Sequence, residues 1–190
     1  MSEFDIVVSI GLGVGLAAAV GFRVFVPLLV MSGAAYTGHL TLSDSFAWLA
    51  TPTALTMLSV AAIAEILAYY IPGVDNLLDA IATPAALVAG TIAAAAVMTD
   101  LPPIVKWTTA VIAGAAGLAQ SVSSLLRAKS TVMTGGFGNA VISTGELGAA
   151  LFVSLLAPLA AVAMVVAFCW LAVRFARRLF RRMPAEPSHD

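Results

Sequence analysis

Twenty-seven consecutive residues, Leu147 to Val173, carry no charged side chain. A helix needs about 20 mostly apolar residues to cross the hydrocarbon layer of a bilayer, so this run alone is long enough to span. Four further apolar runs, 6–31, 52–71, 80–98 and 104–126, each hold at most one charge. Backbone amides in lipid must be bonded within their own segment or in a closed barrel. These runs are too long and too continuous for barrel strands, which alternate over about 10 residues, and so they predict helices. Composition agrees. The chain is 61% hydrophobic and 10% charged, with a mean hydropathy of +1.03, whereas soluble domains carry about 25% charge. The expected fold is an all-α, polytopic transmembrane bundle of about five spans. It forms one domain over 1–173, followed by a basic tail, 174–190.

Turn chemistry and aromatics mark the borders. Pro72-Gly73 stops the second run, and Leu101-Pro102-Pro103 separates the third from the fourth. Tyr36, Trp48, Tyr69, Tyr70, Trp107 and Trp170 fall near run ends, where amphipathic rings prefer the headgroup level. Arg174, Arg177, Arg178, Arg181 and Arg182 crowd the end of the last run. They place the C-terminus in the cytoplasm of a bacterial inner membrane and suit anionic lipid headgroups. Five crossings then put the acidic N-terminus outside, with Lys106 inside and Arg127 and Lys129 outside. The N-terminal residues lack the basic stretch of a signal peptide, so the first helix is expected to stay. The net charge of −1 provides no field for nucleic acid. Cys169 stands alone in an apolar run, and His39 and His189 are far apart. No metal centre or cofactor is expected.

Charge inside an apolar run is costly in lipid unless it is paired or hydrated. Arg23 has two readings: it snorkels to the headgroups, or it is a buried partner for a carboxylate or an anion. Glu65 is too short to snorkel, and it reads either as a proton- or cation-linked group or as a structural hydrogen-bonding partner. Asp75 and Asp79, four apart on one helix face, either complement the start of a helix or form a cation site at a membrane entrance. Ser143-Thr144-Gly145-Glu146 reads as a capping box that opens the last helix. Thr134-Gly135-Gly136-Phe137-Gly138-Asn139 resists a helix. A broken or re-entrant helix near 133–145 would let Gly135 and Gly136 supply backbone ligands, with Asn139 beside them; a plain loop is the alternative. Thr109, Ala113, Gly117, Gln120, Ser124 and Arg127 share one helix face, which either packs closely or lines a wet path. Gly11 and Gly15 form a GxxxG face for helix packing.

The stretch from Glu65 through Ala68-Tyr69-Tyr70-Ile71-Pro72-Gly73 to Asp79 resembles the DUF4126 family of small bacterial membrane proteins. So do Gly21-Phe22-Arg23-Val24-Phe25-Val26-Pro27-Leu28 and Thr134–Asn139. The resemblance spans about residues 5–175, and Arg23, Glu65, Asp75, Asp79 and Asn139 match its motif positions. This chain departs from the family at Tyr69-Tyr70, where Asp-Lys is frequent, at Thr83-Pro84, where Arg-Pro is frequent, and at Ala140, where proline is frequent. The resemblance implies the fold and leaves function open. The leading expectation is a small transporter or channel-like protein with a polar intramembrane site around Glu65 and Arg23, extended by Asp75, Asp79 and Glu146. The alternative is a scaffold or assembly subunit that packs through small-residue faces, as a homo-oligomer or with a partner. An enzyme is not expected, because no nucleophile–base pair, metal cluster or cofactor motif is visible.

Overall fold

A computed structural model of the chain describes residues 3–71, 73–99 and 101–180. Among these residues the regular structure is helical: α1 (Glu3–Val20), α2 (Phe25–Tyr36), a 3-10 helix at Asp44–Ala50, α3 (Pro52–Ala68), α4 (Val74–Val97), α5 (Pro103–Gly114), a 3-10 turn at Ala115–Leu118, α6 (Ala119–Thr134) and α7 (Asn139–Phe180). The protein is a membrane-embedded helical bundle. By length and composition, α4 and the 139–159 part of α7 can each cross a membrane. The 3-10 helix and α3, bent by 70°, add a third span if they are counted together.

Small residues set how closely the helices approach. α1 lies between α4, α5 and α7, and the core there is largely alanine: Ala17, Ala86, Ala93, Ala94, Ala110, Ala113 and Ala157 are buried. A Cβ at Gly13 would meet Ala94 of α4 and Met98 just after it at 3.0–3.3 Å, and one at Gly15 would meet Ala157 of α7 at 3.2 Å. A Cβ at Gly117 would sit 2.8 Å from the Ala86 carbonyl oxygen. Gly15 of the GxxxG pair and Ala113 and Gly117 of the small stripe therefore pack within the chain, and van der Waals contact through small residues is what drives helix association in lipid.

The run 6–31 is not one span. Gly21 and Phe22 turn, the chain reverses, and α2 runs back along α3. Its start lies at Glu65 near the end of α3, and its Ser32 hydroxyl reaches the Leu49 carbonyl beside the start of α3. Pro27 falls in the first turn of α2, where its missing N–H has no partner to lose. The run 104–126 also differs, because a 3-10 turn at 115–118 joins α5 to α6, which continues along α4 to Thr134. The last helix starts at Asn139 rather than at the capping box, so Ser143 and Glu146 lie inside it. The glycine-rich segment is a tight turn between α6 and α7, with Gly135 at φ 63° and Gly136 at φ 93°, a conformation glycine adopts without penalty.

These directions bring α1's end, α2's start, α3's end, α4's start, α6's second half and α7's start to one end of the bundle. α1 runs toward that end and α7 away from it. The start of α1 and the end of α7 therefore lie toward the same, opposite end. At that opposite end Ser43 ties down α4: its amide donates to the Ala96 carbonyl at 2.8 Å, and Lys106 Nζ donates to its hydroxyl at 2.7 Å.

Candidate functional site

The buried face of α4 reads Asp75, Asp79, Ala82, Ala86, Ala89 and Ala93. On α7 the buried positions include Asn139, Ser143, Glu146, Ala150 and Ala157. Both stripes follow the three-and-four spacing of one helix face. Both are polar in the first two turns; beyond them α4 is alanine-lined, and α7 buries Ala150, Ser154 and Ala157. The site is that polar head, closed from the third side by Arg127 of α6 and from above by Arg23 in the 21–24 turn.

Arg127 is fully buried. Its Nη2 donates to both Glu146 oxygens at 2.7 and 2.6 Å, its Nε lies 3.1 Å from Asp79 Oδ2, and its Nη1 donates to the Ser143 hydroxyl at 3.1 Å. Arg23, 1% exposed, donates from Nη2 to the Ser143 carbonyl at 3.0 Å and lies 3.8 Å from Glu146 Oε2. Its Nε and Nη1 have no hydrogen-bond partner. The ring of Tyr69 is the common surface, with the Arg23 and Arg127 guanidinium carbons 4.0 and 4.2 Å from its centroid. Cation–π attraction is strongest in such desolvated sites. Asp79 is hydrogen-bonded by the Tyr69 and Ser124 side chains.

The remaining carboxylates answer helix ends. Glu65 lies in the last turn of α3, not near a helix midpoint. Its two oxygens accept from the Val24 and Phe25 amides at 2.8 and 3.0 Å, which are otherwise orphan donors at the start of α2. Of the two readings for Glu65, the structural one describes these bonds: it holds the 21–24 turn beside Arg23. Asp75 accepts from the Gly73 and Asn76 amides, both at 2.8 Å, through Oδ1, and from Asn139 Nδ2 through Oδ2. Two carboxylates are thus matched by helix N-termini and two by guanidiniums.

Two cavities meet this cluster. One, of about 410 Å³, is an apolar crevice between α2, α3 and α4, with Glu65 and Tyr69 in its wall beside Phe25, Ile81 and Ala85. A second crevice of about 520 Å³ shares Val24, Phe25, Ile81 and Ala85 and continues it along α4 past Pro84 to Ile92. The other cavity, of about 280 Å³, lies at the mouth over α4 and α7, bounded by Tyr69, Tyr70, Asp75, Gly136, Phe137 and Asn139.

The model of the family described as domain of unknown function (DUF4126) matches residues 10–178. The chain belongs to the DUF4126 family. No curated protein and no solved structure matches it.

In this DUF4126 protein the fold gathers Arg23, Asp75, Asp79, Asn139 and Glu146 into one cluster, places Glu65 at its edge and sets Gly136 in the wall of the mouth cavity. Gly135 belongs to the turn. Sequence reading missed the two residues that join the cluster. Arg127 was expected outside the membrane as a topology signal, but it ends the small, polar stripe of the fourth run, and that stripe faces inward. Tyr69 was expected at the headgroups and is 4% exposed; its signal was a position four residues after Glu65, on the same face. Of the basic cluster, Arg174 stacks over Trp170 at 5.0 Å. Arg177 and Arg178 lie on α7, but their side chains, together with Arg181 and Arg182, fall outside the described residues.

Proposed function

We propose that the protein is a small multi-pass transporter of the bacterial inner membrane, with Tyr69 as the divider on its route. The supporting observation is that Tyr69 forms part of the wall of both the polar mouth cavity and the apolar crevice. Displacing that one ring would join the two. The ring rests against two guanidiniums held by Asp79 and Glu146, so a change in charge balance at either carboxylate would alter its hold. The C-terminal arginines favour a cytoplasmic C-terminus. With the start of α1 at the same end as the end of α7, α1 then begins on the cytoplasmic side, and the mouth cavity faces outward. The scaffold alternative drew on the small-residue faces, and Gly13, Gly15 and Gly117 use theirs against helices of the same chain.

The test is stopped-flow swelling of proteoliposomes in isosmotic small cationic, anionic and neutral solutes. At least one class should cross faster than in protein-free vesicles, and Tyr69→Leu should change that rate several-fold while Arg174→Gln leaves it unchanged. If no class outpaces empty vesicles, the reading is rejected.

A further inference from the structure

We propose that the mouth cavity is a binding site for a protonated amine, a small organic ammonium that carries N–H donors. The inference deepens the transporter reading by giving its substrate class, and it rests on that reading for its use. Four observations carry it.

The first is an unmet acceptor. Asn139 is 2% exposed and borders the cavity, yet its Oδ1 has no hydrogen-bond partner. Its amide orientation is fixed by its neighbours. Nδ2 donates to Asp75 Oδ2 and to the Thr131 hydroxyl at 2.9 Å. Turning the amide over would set its oxygen against a carboxylate oxygen. The buried unmet atom is therefore an acceptor, and leaving it unmet costs about 1–3 kcal/mol. A donor is what it lacks.

The second is Asp75. Its Oδ1 accepts two amides of the α4 start, and its Oδ2 accepts one bond from Asn139. A carboxylate oxygen can accept a further donor. Asp75 also answers the positive end of α4, which would otherwise favour an anion here.

The third is the wall. Tyr70 and Phe137 border the cavity, and aromatic rings attract cations through their faces. Tyr70 is fixed by a 2.8 Å bond to the Thr144 hydroxyl. Phe137 is 85% exposed on the turn shaped by Gly135 and Gly136. That placement holds an apolar ring at the rim, where it can close over a ligand. Tyr69 completes the wall with a ring already engaged by the two guanidiniums.

The fourth is size and donor count. About 280 Å³ far exceeds a bare metal ion. A calcium-type site takes six to eight oxygens, whereas the lining here includes one carboxylate residue, Asp75, and one amide residue, Asn139. A primary ammonium offers three N–H donors and matches two acceptors and two rings. A quaternary ammonium has none to give Asn139.

The experiment is calorimetric titration of the purified full-length protein in micelles with ethylammonium, tetramethylammonium, magnesium and inorganic phosphate as separate chloride or sodium salts. Ethylammonium should bind at least tenfold more tightly than the other three. Asn139→Ala should weaken it at least tenfold. Phe137→Ala, an exposed change that leaves the charge cluster intact, should weaken it by about two- to fivefold and keeps the test informative if Asn139→Ala fails to fold. Absence of ethylammonium binding, equal binding of tetramethylammonium, preference for phosphate or magnesium, or an unchanged Phe137→Ala titration would each overturn the inference. Binding in micelles without flux of any solute class in proteoliposomes would support the site and reject the transporter. Flux of another solute class without amine binding would do the reverse.

Discussion

Replacing Arg127 with methionine tests whether the buried cluster is the keystone of this end of the bundle. Arg127 gives Glu146 two bonds at 2.6 and 2.7 Å, lies 3.1 Å from Asp79 and holds the Ser143 hydroxyl. Methionine fills much of the same volume and provides no donor. The Arg23 guanidinium, 3.8 Å from Glu146, is too far to replace those bonds. Removing one partner from a buried pair costs about 3–5 kcal/mol, because the other charge is left uncompensated. At 1.4 kcal/mol per factor of ten, the folded-to-unfolded ratio should fall by roughly 10² to 10³·⁵. The companion variant Arg127→Met/Glu146→Leu removes both charges. It should cost at least about 1 kcal/mol less than the sum of the single variants, since residues in one network couple by about 0.5–3 kcal/mol. The assay is equilibrium unfolding by SDS in mixed micelles, followed by fluorescence of Trp48, Trp107 and Trp170. An Arg127→Met variant within about 0.5 kcal/mol of the parent, or strictly additive costs in the double variant, would refute the reasoning.

Glu65→Ala should expose the amides of Val24 and Phe25, which it now binds at 2.8 and 3.0 Å. Hydrogen exchange should speed up at those two residues by about tenfold or more, in line with about 1–3 kcal/mol for unmet donors, while Glu65→Gln loses less. Unchanged exchange at 24 and 25 counts against the capping role. Gly117→Ala should destabilise by about 1–3 kcal/mol, because its Cβ would meet the Ala86 carbonyl oxygen at 2.8 Å; the midpoint of SDS unfolding reads this directly. Gly148→Ala has open space around it inside α7 and should instead stabilise by about 0.4–1 kcal/mol. A loss at Gly148 would mean that its face is occupied. Tyr69→Phe should cost about 1 kcal/mol, for one hydrogen bond to Asp79, and Tyr69→Ala about 3–5. Equal losses would mean that the ring itself does little.

Helical class and membrane environment were legible because both follow from run length and charge scarcity, which lipid solvation turns directly into structure. Chain reversal was not. The 6–31 run is apolar on both sides of the turn at 21–24, and hydropathy does not distinguish one long helix from two antiparallel short ones. α2 has only 12 residues, about 18 Å, and its stability comes from packing on α3 and from a carboxylate that arrives from 40 residues away. That carboxylate is local to neither helix end in sequence, so no capping pattern in 20–30 announces it. The last helix shows the reverse failure. Ser143-Thr144-Gly145-Glu146 has the letters of a capping box, but the glycine turn ends at Gly138, so the helix is already formed when Ser143 is reached, and both polar side chains are turned inward to Arg127.

The site was half legible for the same reason. Desolvation cost singles out Arg23 and Glu65 as residues that must have partners, and both have them, yet the cost alone does not say which. Of the four carboxylates in and beside the cluster, two lie where helix dipoles are positive and two where guanidiniums approach. Each group therefore has an opposite field within reach, and none requires a solute to be tolerated. What the ion pairs leave over is small and specific: two nitrogens on Arg23 and one oxygen on Asn139. The residue that carries the oxygen lines a cavity, and the Arg23 nitrogens sit within the cluster. A buried network with every partner present would act as a rigid clamp. One with a single unmet acceptor in a cavity wall, beside a ring shared with a second cavity, is the arrangement in which ligand binding and movement of that ring can be coupled.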